Sequence, residues 1–133
     1  MILPVTAVFA SVCAILLIIL SYRVSSFRMR YKHGLGVNED RDFEVAVRTQ
    51  ANLTEYAPMA LILLGLGELN GVAVGWIYGL GMTFVVGRIL HAWGMVNGRG
   101  GAHKARFYGT AMSWLAMLLL AVAVLLNVFL SNA

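Results

Sequence analysis

Four polar residues at helical spacing, Arg48, Asn52, Glu55 and Tyr56, form the part of this sequence best suited to chemistry. Positions i, i+4, i+7 and i+8 lie on one stripe of an α-helix, so these side chains can approach one ligand together. From Ala57 onward the same segment is apolar enough to lie in a membrane. Because polar groups are costly to bury there and mark functional sites, the stripe is our first candidate site.

The chemistry of these groups favours a small zwitterionic ligand. Arginine binds carboxylates through two parallel hydrogen bonds, and Glu55 can accept from an ammonium group. The amides of Asn52 and Gln50 can each donate and accept. A small zwitterionic peptide with two carboxylates fits this set.

Other kinds of site are not indicated by the sequence. His33, His91 and His103 are scattered and have no metal-ligand spacing, so no metal is expected. Neither a nucleotide-binding loop nor a Ser/His/Asp arrangement is recognisable. Cys13 stands alone in the first apolar segment, where we expect it to sit in lipid, far from any charge, in a structural role. Sulfur chemistry would therefore need a thiol from outside the chain.

The composition indicates a membrane protein. Of the 133 residues, 60% are hydrophobic and 12% charged, whereas soluble domains have about 25% charged residues. Three stretches without Asp, Glu, Lys or Arg are near or above the roughly 18 residues of a spanning helix: 1–22, 69–87 and 107–133. We predict an all-α membrane protein in which residues 1–133 form a single four-transmembrane-helix bundle. The helices are predicted at about 2–25, 45–69, 72–96 and 107–130.

The basic residues predict the orientation of these helices. Arg23 and Arg28 follow the first apolar run, whereas a signal peptide has its charge before it, so we expect a retained helix. Basic residues occupy the 1–2 and 3–4 connections, and the 2–3 turn has none. The positive-inside rule places both basic loops in the cytoplasm and both termini on the non-cytoplasmic side. Attraction to anionic lipid headgroups explains the net charge of +4, and steering of an anionic substrate is an additional explanation. No nucleic-acid partner is expected.

This orientation fixes the depth of the candidate site. At 1.5 Å per residue, Glu55 lies about 10 Å deeper than Arg48, and Arg88 lies about 12 Å below the cytoplasmic surface. We therefore expect an ion pair between Glu55 and Arg88, which would offset the cost of burying either charge. His91 is one turn from Arg88 on the same stripe, and Arg106 is expected above them, near the cytoplasmic boundary.

Two further patterns concern the helices themselves. The acidic stretch that ends at Glu44 is suited to capping the second helix. In the third helix, Gly75, Gly79, Gly87 and Gly94 predict close approach to a neighbouring helix.

Two motifs resemble those of a known family. The stretch from Arg48 to Pro58, RTQANLTEYAP, resembles the helix 2 signature of the MAPEG family, the membrane-associated proteins in eicosanoid and glutathione metabolism. Its form is closest to that of the leukotriene C synthase branch. The stretch from Gly87 to His91, GRILH, resembles the helix 3 motif of the microsomal prostaglandin E synthase branch. The resemblance covers nearly the whole chain, and the overall pattern is similar to that of the short bacterial members.

The resemblance implies a homotrimer that binds glutathione between neighbouring subunits, in the cytoplasmic half of the membrane, here expected to be the bacterial inner membrane. Arg106 resembles the helix 4 arginine that stabilises the glutathione thiolate and is the predicted catalytic residue. The chain departs from the family at Met95, where relatives have a tyrosine, and Tyr108 is a candidate substitute. The predicted glutathione-binding residues, with Gln50 added for its chemistry, are Arg23, Arg48, Gln50, Asn52, Glu55, Tyr56, Arg88 and His91.

The leading functional hypothesis is a glutathione-dependent membrane enzyme, of transferase or peroxidase type, that acts on a lipophilic electrophile. Two alternatives stay open. One is a non-catalytic lipid-binding or scaffold protein, as one branch of the family is. The other is a small proton-coupled exporter with Glu55 as the titrating group. The lipid-facing surfaces are uniformly apolar and do not identify the electrophile.

Overall fold

The computed structural model describes residues 2–131 and shows an all-helical bundle in that part of the chain. Three of its helices are long and apolar enough to cross a membrane, and α2 falls short because the polar stripe lowers its hydropathy. The prediction of an all-α bundle with four helices is confirmed. The helices are α1 (Pro4–Tyr31), α2 (Arg41–Leu69), α3 (Val74–Asn97) and α4 (Lys104–Ser131).

The ends of α1 and α2 that flank the 1–2 loop differ from the predicted ones by several residues. Helix α1 continues to Tyr31 instead of ending near residue 25, because no helix-breaking residue occurs before Gly34. Helix α2 begins at Arg41, where the Asp40 carboxylate accepts from the backbone N–H of Asp42 at 2.8 Å. The predicted acidic cap is therefore confirmed. Hydrogen bonds from the Tyr31 hydroxyl and the first turn of α2 hold the pKa of Asp40 below its usual value.

The start of α1 is capped from another helix. No side chain of its own first turn caps it, and the carboxylate of Glu68, near the end of α2, takes that place. It accepts from the backbone N–H groups of Val5 at 2.8 Å and Thr6 at 2.7 Å, and from the Thr6 hydroxyl at 2.6 Å. This carboxylate satisfies the exposed donors of α1 and complements its positive end. This contact, which was not predicted from the sequence, ties α1 to α2 at the end opposite the basic loops.

The interior of the bundle is filled by large apolar side chains. Leu64, Ile77, Phe84 and Leu120 come from α2, α3 and α4 and are fully buried, and Phe9 of α1 is almost so. The most extensive interface joins α3 to α4. In lipid these residues stabilise the bundle mainly by van der Waals packing.

Glycines set the close approach of α3 and α4. A methyl group at Gly87 would meet the Ser113 hydroxyl at 2.7 Å, and one at Gly94 would collide with the backbone of Arg106. The predicted role in packing is thus confirmed for these two residues. It stays a prediction for Gly75 and Gly79, where an added methyl group would meet no other part of the described chain within 4 Å.

Gly109→Ala is expected to destabilise the protein, because the added methyl group would collide with the backbone of α3 at His91. Overpacking of this kind costs about 1–3 kcal/mol or more. Gly79→Ala is the matched control, since that position is open and alanine favours a helix by up to about 1 kcal/mol. Thermal unfolding in detergent should show a lower midpoint for Gly109→Ala only. Equal midpoints for the two variants would contradict the tight α3–α4 contact.

Candidate functional site

Arg88 occupies the centre of the candidate site and joins three helices. Its side chain is 2% exposed. On α4, Nε donates to the Ser113 hydroxyl at 2.8 Å and Nη2 donates to the carbonyl of Gly109 at 3.4 Å. On α2, Nη1 donates to Oδ1 of Asn52. The buried charge is thus held by neutral oxygen atoms.

Aromatic rings complete the surroundings of Arg88. The guanidinium carbon lies 4.9 Å from the centre of the Tyr56 ring and 5.8 Å from that of Phe84. Such cation–π contacts are attractive, and more so away from water. Tyr56 is half-buried, so its ring covers the guanidinium on the side of α2.

The expected ion pair between Glu55 and Arg88 is not formed. Within the described residues, Arg99 with Asp42 makes the one ion pair, and Glu55 is exposed. The reason is helical geometry, since Glu55 lies about 100° around the axis from Tyr56 and about 60° from Asn52. Arg88 contacts the edge of the stripe that carries Asn52 and Tyr56, and Glu55 points away from it.

Arg48 and Glu55 form the open part of the stripe. Both are exposed, and neither side chain has a hydrogen-bond or ion-pair partner between residues 2 and 130. Asn52, between them along the helix, is half-buried. The structure therefore presents a cation, an amide and an anion along one accessible face of α2.

Two predicted site residues lie elsewhere. Gln50 is on the opposite side of α2, where Nε2 donates to the Ser21 hydroxyl of α1 at 3.1 Å. Its amide contributes to α1–α2 packing and not to the open stripe. Arg23 is half-buried on α1, and the described part of the chain provides no partner for its side chain.

Arg106 is held at the start of α4 by the loop before it. Nη1 donates to the carbonyls of Gly100 at 2.7 Å and Gly101 at 3.2 Å. The half-buried side chain lines an open groove of about 810 Å³ that also includes Tyr108 and Trp114. Tyr108 is 59% exposed. It is therefore placed to contact a ligand in this groove.

The other predicted residues are inside the bundle. His91 is 5% exposed and within electrostatic range of both Arg88 and Arg106, and Met95 is 6% exposed. For Cys13 the expected exposure to lipid, far from any charge, was wrong, because the residue is buried in the core and close enough to Arg88 to interact with its charge. Lipid exposure was predicted from its helix alone, without knowledge of which face packs inward.

Comparison with known proteins places this arrangement in a family. Residues 6–126 match the sequence profile of the MAPEG family. The chain belongs to the MAPEG family. It is 30% identical over 119 residues to inner membrane protein YecN of Escherichia coli strain K12, covering 90% of this chain and 88% of the relative. YecN of E. coli O6:H1 strain CFT073 matches to the same extent. These names give a membrane location and no activity.

In this MAPEG protein the accessible predicted site residues of α2 and α4 form two separate surfaces. The first is the α2 face, formed by Arg48, Asn52 and Glu55. The second is the α4 groove around Arg106 and Tyr108, whose lining residues all come from the 3–4 loop and α4. No residue of the α2 face lines the α4 groove.

A further contact, missed in the sequence, connects α2 to the loop that holds Arg106. Arg99 pairs with Asp42 at 2.9 Å, and Nε of Arg41 donates to the carbonyl of Arg99 at 2.7 Å. Gly100, whose carbonyl accepts from Arg106, follows directly. Charges of opposite sign in the two loops were the available signal, but their pairing depends on the helix ends, which the sequence does not fix.

Proposed function

We propose that this MAPEG protein binds glutathione and uses its thiol on a lipophilic electrophile, by conjugation or by reduction of a peroxide. The observation that carries the proposal is the exposed pair Arg48 and Glu55 on α2, with no partner within the described chain. Charges left open on a membrane helix are costly unless they bind something. Their signs and the amide of Asn52 between them fit a zwitterionic peptide.

Each group has a distinct role in this proposal. Arg48 binds a carboxylate of glutathione bidentately, and Glu55 accepts from its ammonium group. Arg106 offers positive charge to the thiol and so favours the thiolate, which is the nucleophile. Trp114 and its apolar neighbours in the α4 groove face the region from which a lipophilic substrate arrives.

The separation of the two surfaces supports assembly as a homotrimer. A heterologous interface joins two different faces of identical subunits and closes into a ring when the rotation allows it. We propose that the α2 face of one subunit meets the α4 groove of the next, so that glutathione contacts both. This arrangement covers Arg48 and Glu55 and brings Arg106 to the thiol.

The location follows from the same proposal. Arg28 and Arg30 at the end of α1 and Arg99 in the 3–4 loop lie at one end of the bundle, and we place this end in the cytoplasm, with the termini on the other side of the bacterial inner membrane. The α4 groove and the open end of the α2 face then border the compartment that contains glutathione.

A non-catalytic scaffold or lipid-binding role is the second candidate. It is favoured by Met95, which stands where the family resemblance expects a tyrosine and is buried. A scaffold keeps the fold and loses thiol activation, so the state of the bound thiol separates the two functions.

Glutathione titration of the detergent-purified protein, followed by thiolate absorbance, tests the proposal. We expect a saturable signal near neutral pH, where free glutathione is only a few per cent ionised. S-methylglutathione is the control, since it should bind without any signal. Binding without a thiolate signal would favour the scaffold, and no binding in calorimetry would refute the proposed function.

A further inference from the structure

The contacts of Arg88 determine which way the amide of Asn52 faces. The amide of Asn52 contacts Nη1 of Arg88, and a guanidinium carries only hydrogen-bond donors. The amide atom that faces Arg88 must therefore be the oxygen, and the NH₂ group faces away from it. This NH₂ has no partner in the described chain, and every buried side-chain nitrogen or oxygen there has one. The NH₂ group of Asn52 is thus accessible.

We propose that Arg88 is a positioning residue that locks Asn52 as a hydrogen-bond donor toward the α2 face. The donor would bind a carbonyl or carboxylate oxygen of the peptide held between Arg48 and Glu55. This inference rests on the proposed function. It gives Arg88 a role that differs from the direct contact with glutathione expected from the sequence.

The burial of Arg88 explains why it acts through Asn52. The guanidinium is 2% exposed, anchored on Ser113, and covered by the Tyr56 ring. Ser113 is itself fully buried and donates to the carbonyl of Gly109 at 2.8 Å. With Nε, Nη1 and Nη2 all engaged, the side chain stays in place when a ligand arrives.

A simpler interpretation is that Asn52 only supplies an oxygen to a buried charge. Asn52→Asp separates the two. Aspartate keeps an oxygen toward Arg88 and adds a favourable charge, but it replaces the outward NH₂ group by a second acceptor. The protein would remain folded and lose the donor that faces the ligand.

The first experiment measures glutathione affinity by calorimetry together with thermal unfolding. For Asn52→Asp we expect tenfold or weaker binding and a midpoint no lower than that of the unmodified protein. Asn97→Asp is the control. This exposed residue lies at the cytoplasmic end of α3, so the variant makes the same chemical change away from the site. Unchanged affinity in Asn52→Asp would overturn the donor role, even though glutathione binding itself stands.

The second experiment needs no ligand and tests the lock. Thermal midpoints are compared for Arg88→Met, Asn52→Asp and the double variant. With Arg88 present, Asn52→Asp should leave the midpoint unchanged or raise it, whereas in the Arg88→Met background it should lower the midpoint; an equal effect in both backgrounds would overturn the contact. If Arg88→Met does not fold, Ser113→Ala replaces it, and it should weaken glutathione binding several-fold although Ser113 is out of the ligand's reach. If the unmodified protein binds no glutathione, the proposed function and the donor role fail together. The comparison of thermal midpoints still tests whether Arg88 holds the side chain of Asn52.

Discussion

Replacing Arg106 by alanine is expected to abolish the thiolate absorbance of bound glutathione and to reduce turnover sharply. A free thiol with a pKa of about 8.5 is a few per cent ionised at neutral pH, and a nearby cation lowers that pKa by one to several units. Going from a mostly ionised thiol to a few per cent changes the thiolate population by roughly thirtyfold. Glutathione affinity should change little, because Arg48 and Glu55 still bind the ends of the peptide. Absorbance and steady-state kinetics measure these effects.

Two further variants make this test specific. Arg106→Lys should retain part of the signal through charge alone, although it loses the planar guanidinium that contacts the carbonyls of Gly100 and Gly101. Lys104→Ala removes an exposed neighbouring cation and should leave the signal unchanged. A thiolate signal that persists in Arg106→Ala would transfer the activating role to another arginine, and Arg23 and Arg99 would be tested next.

Arg48→Ala and Glu55→Gln are each expected to weaken glutathione binding by tenfold or more. Hydrogen bonds to charged groups contribute about 1.5–3 kcal/mol, and 1.4 kcal/mol corresponds to a factor of about ten in affinity. Both side chains lack partners within the described chain, so their replacement should leave the thermal midpoint of the subunit nearly unchanged. Calorimetry and thermal unfolding of the same samples provide the measurement.

Exposed residues of the same charge serve as controls for these variants. The controls are Glu44→Gln, on the first turn of α2, and Arg30→Ala, on the last turn of α1. Neither should alter glutathione binding. Native affinity in folded Arg48→Ala and Glu55→Gln would remove the α2 face from the site, and the same loss in the controls would indicate a general effect of charge.

The helices and the polar stripe could be predicted from the sequence because both depend on local patterns. Long apolar runs define spanning helices, and spacing along one helix defines which residues share a face. The helix ends were less accurate. Helix α1 extends six residues beyond its predicted end, since its boundary depends on where a breaking residue such as Gly34 occurs and not on hydropathy.

The partners of Arg88 were not predictable in the same way. Depth along the membrane placed Arg88 level with Glu55, but depth does not give the rotation of one helix relative to another. That rotation depends on the contact of Gly87 and Gly109, which lets α4 approach closely enough for Ser113 to reach the guanidinium. Pairing of opposite charges predicted Glu55 as the partner of Arg88. In the structure the neutral oxygens of Asn52 and Ser113 accept hydrogen bonds from the guanidinium instead.

The low hydropathy of α2 has a consequence for biosynthesis. This helix does not qualify as a membrane span by composition alone, while α1, which is made before it, does so strongly. Two polar groups of α2 have their partners on α1, where Gln50 contacts Ser21 and Glu68 contacts the start of the helix. We therefore expect α1 to be inserted first and α2 to leave the translocon in contact with it, as a hairpin. A strongly apolar foreign segment in place of α1 would lack these partners, and α2 would then fail to integrate during translation.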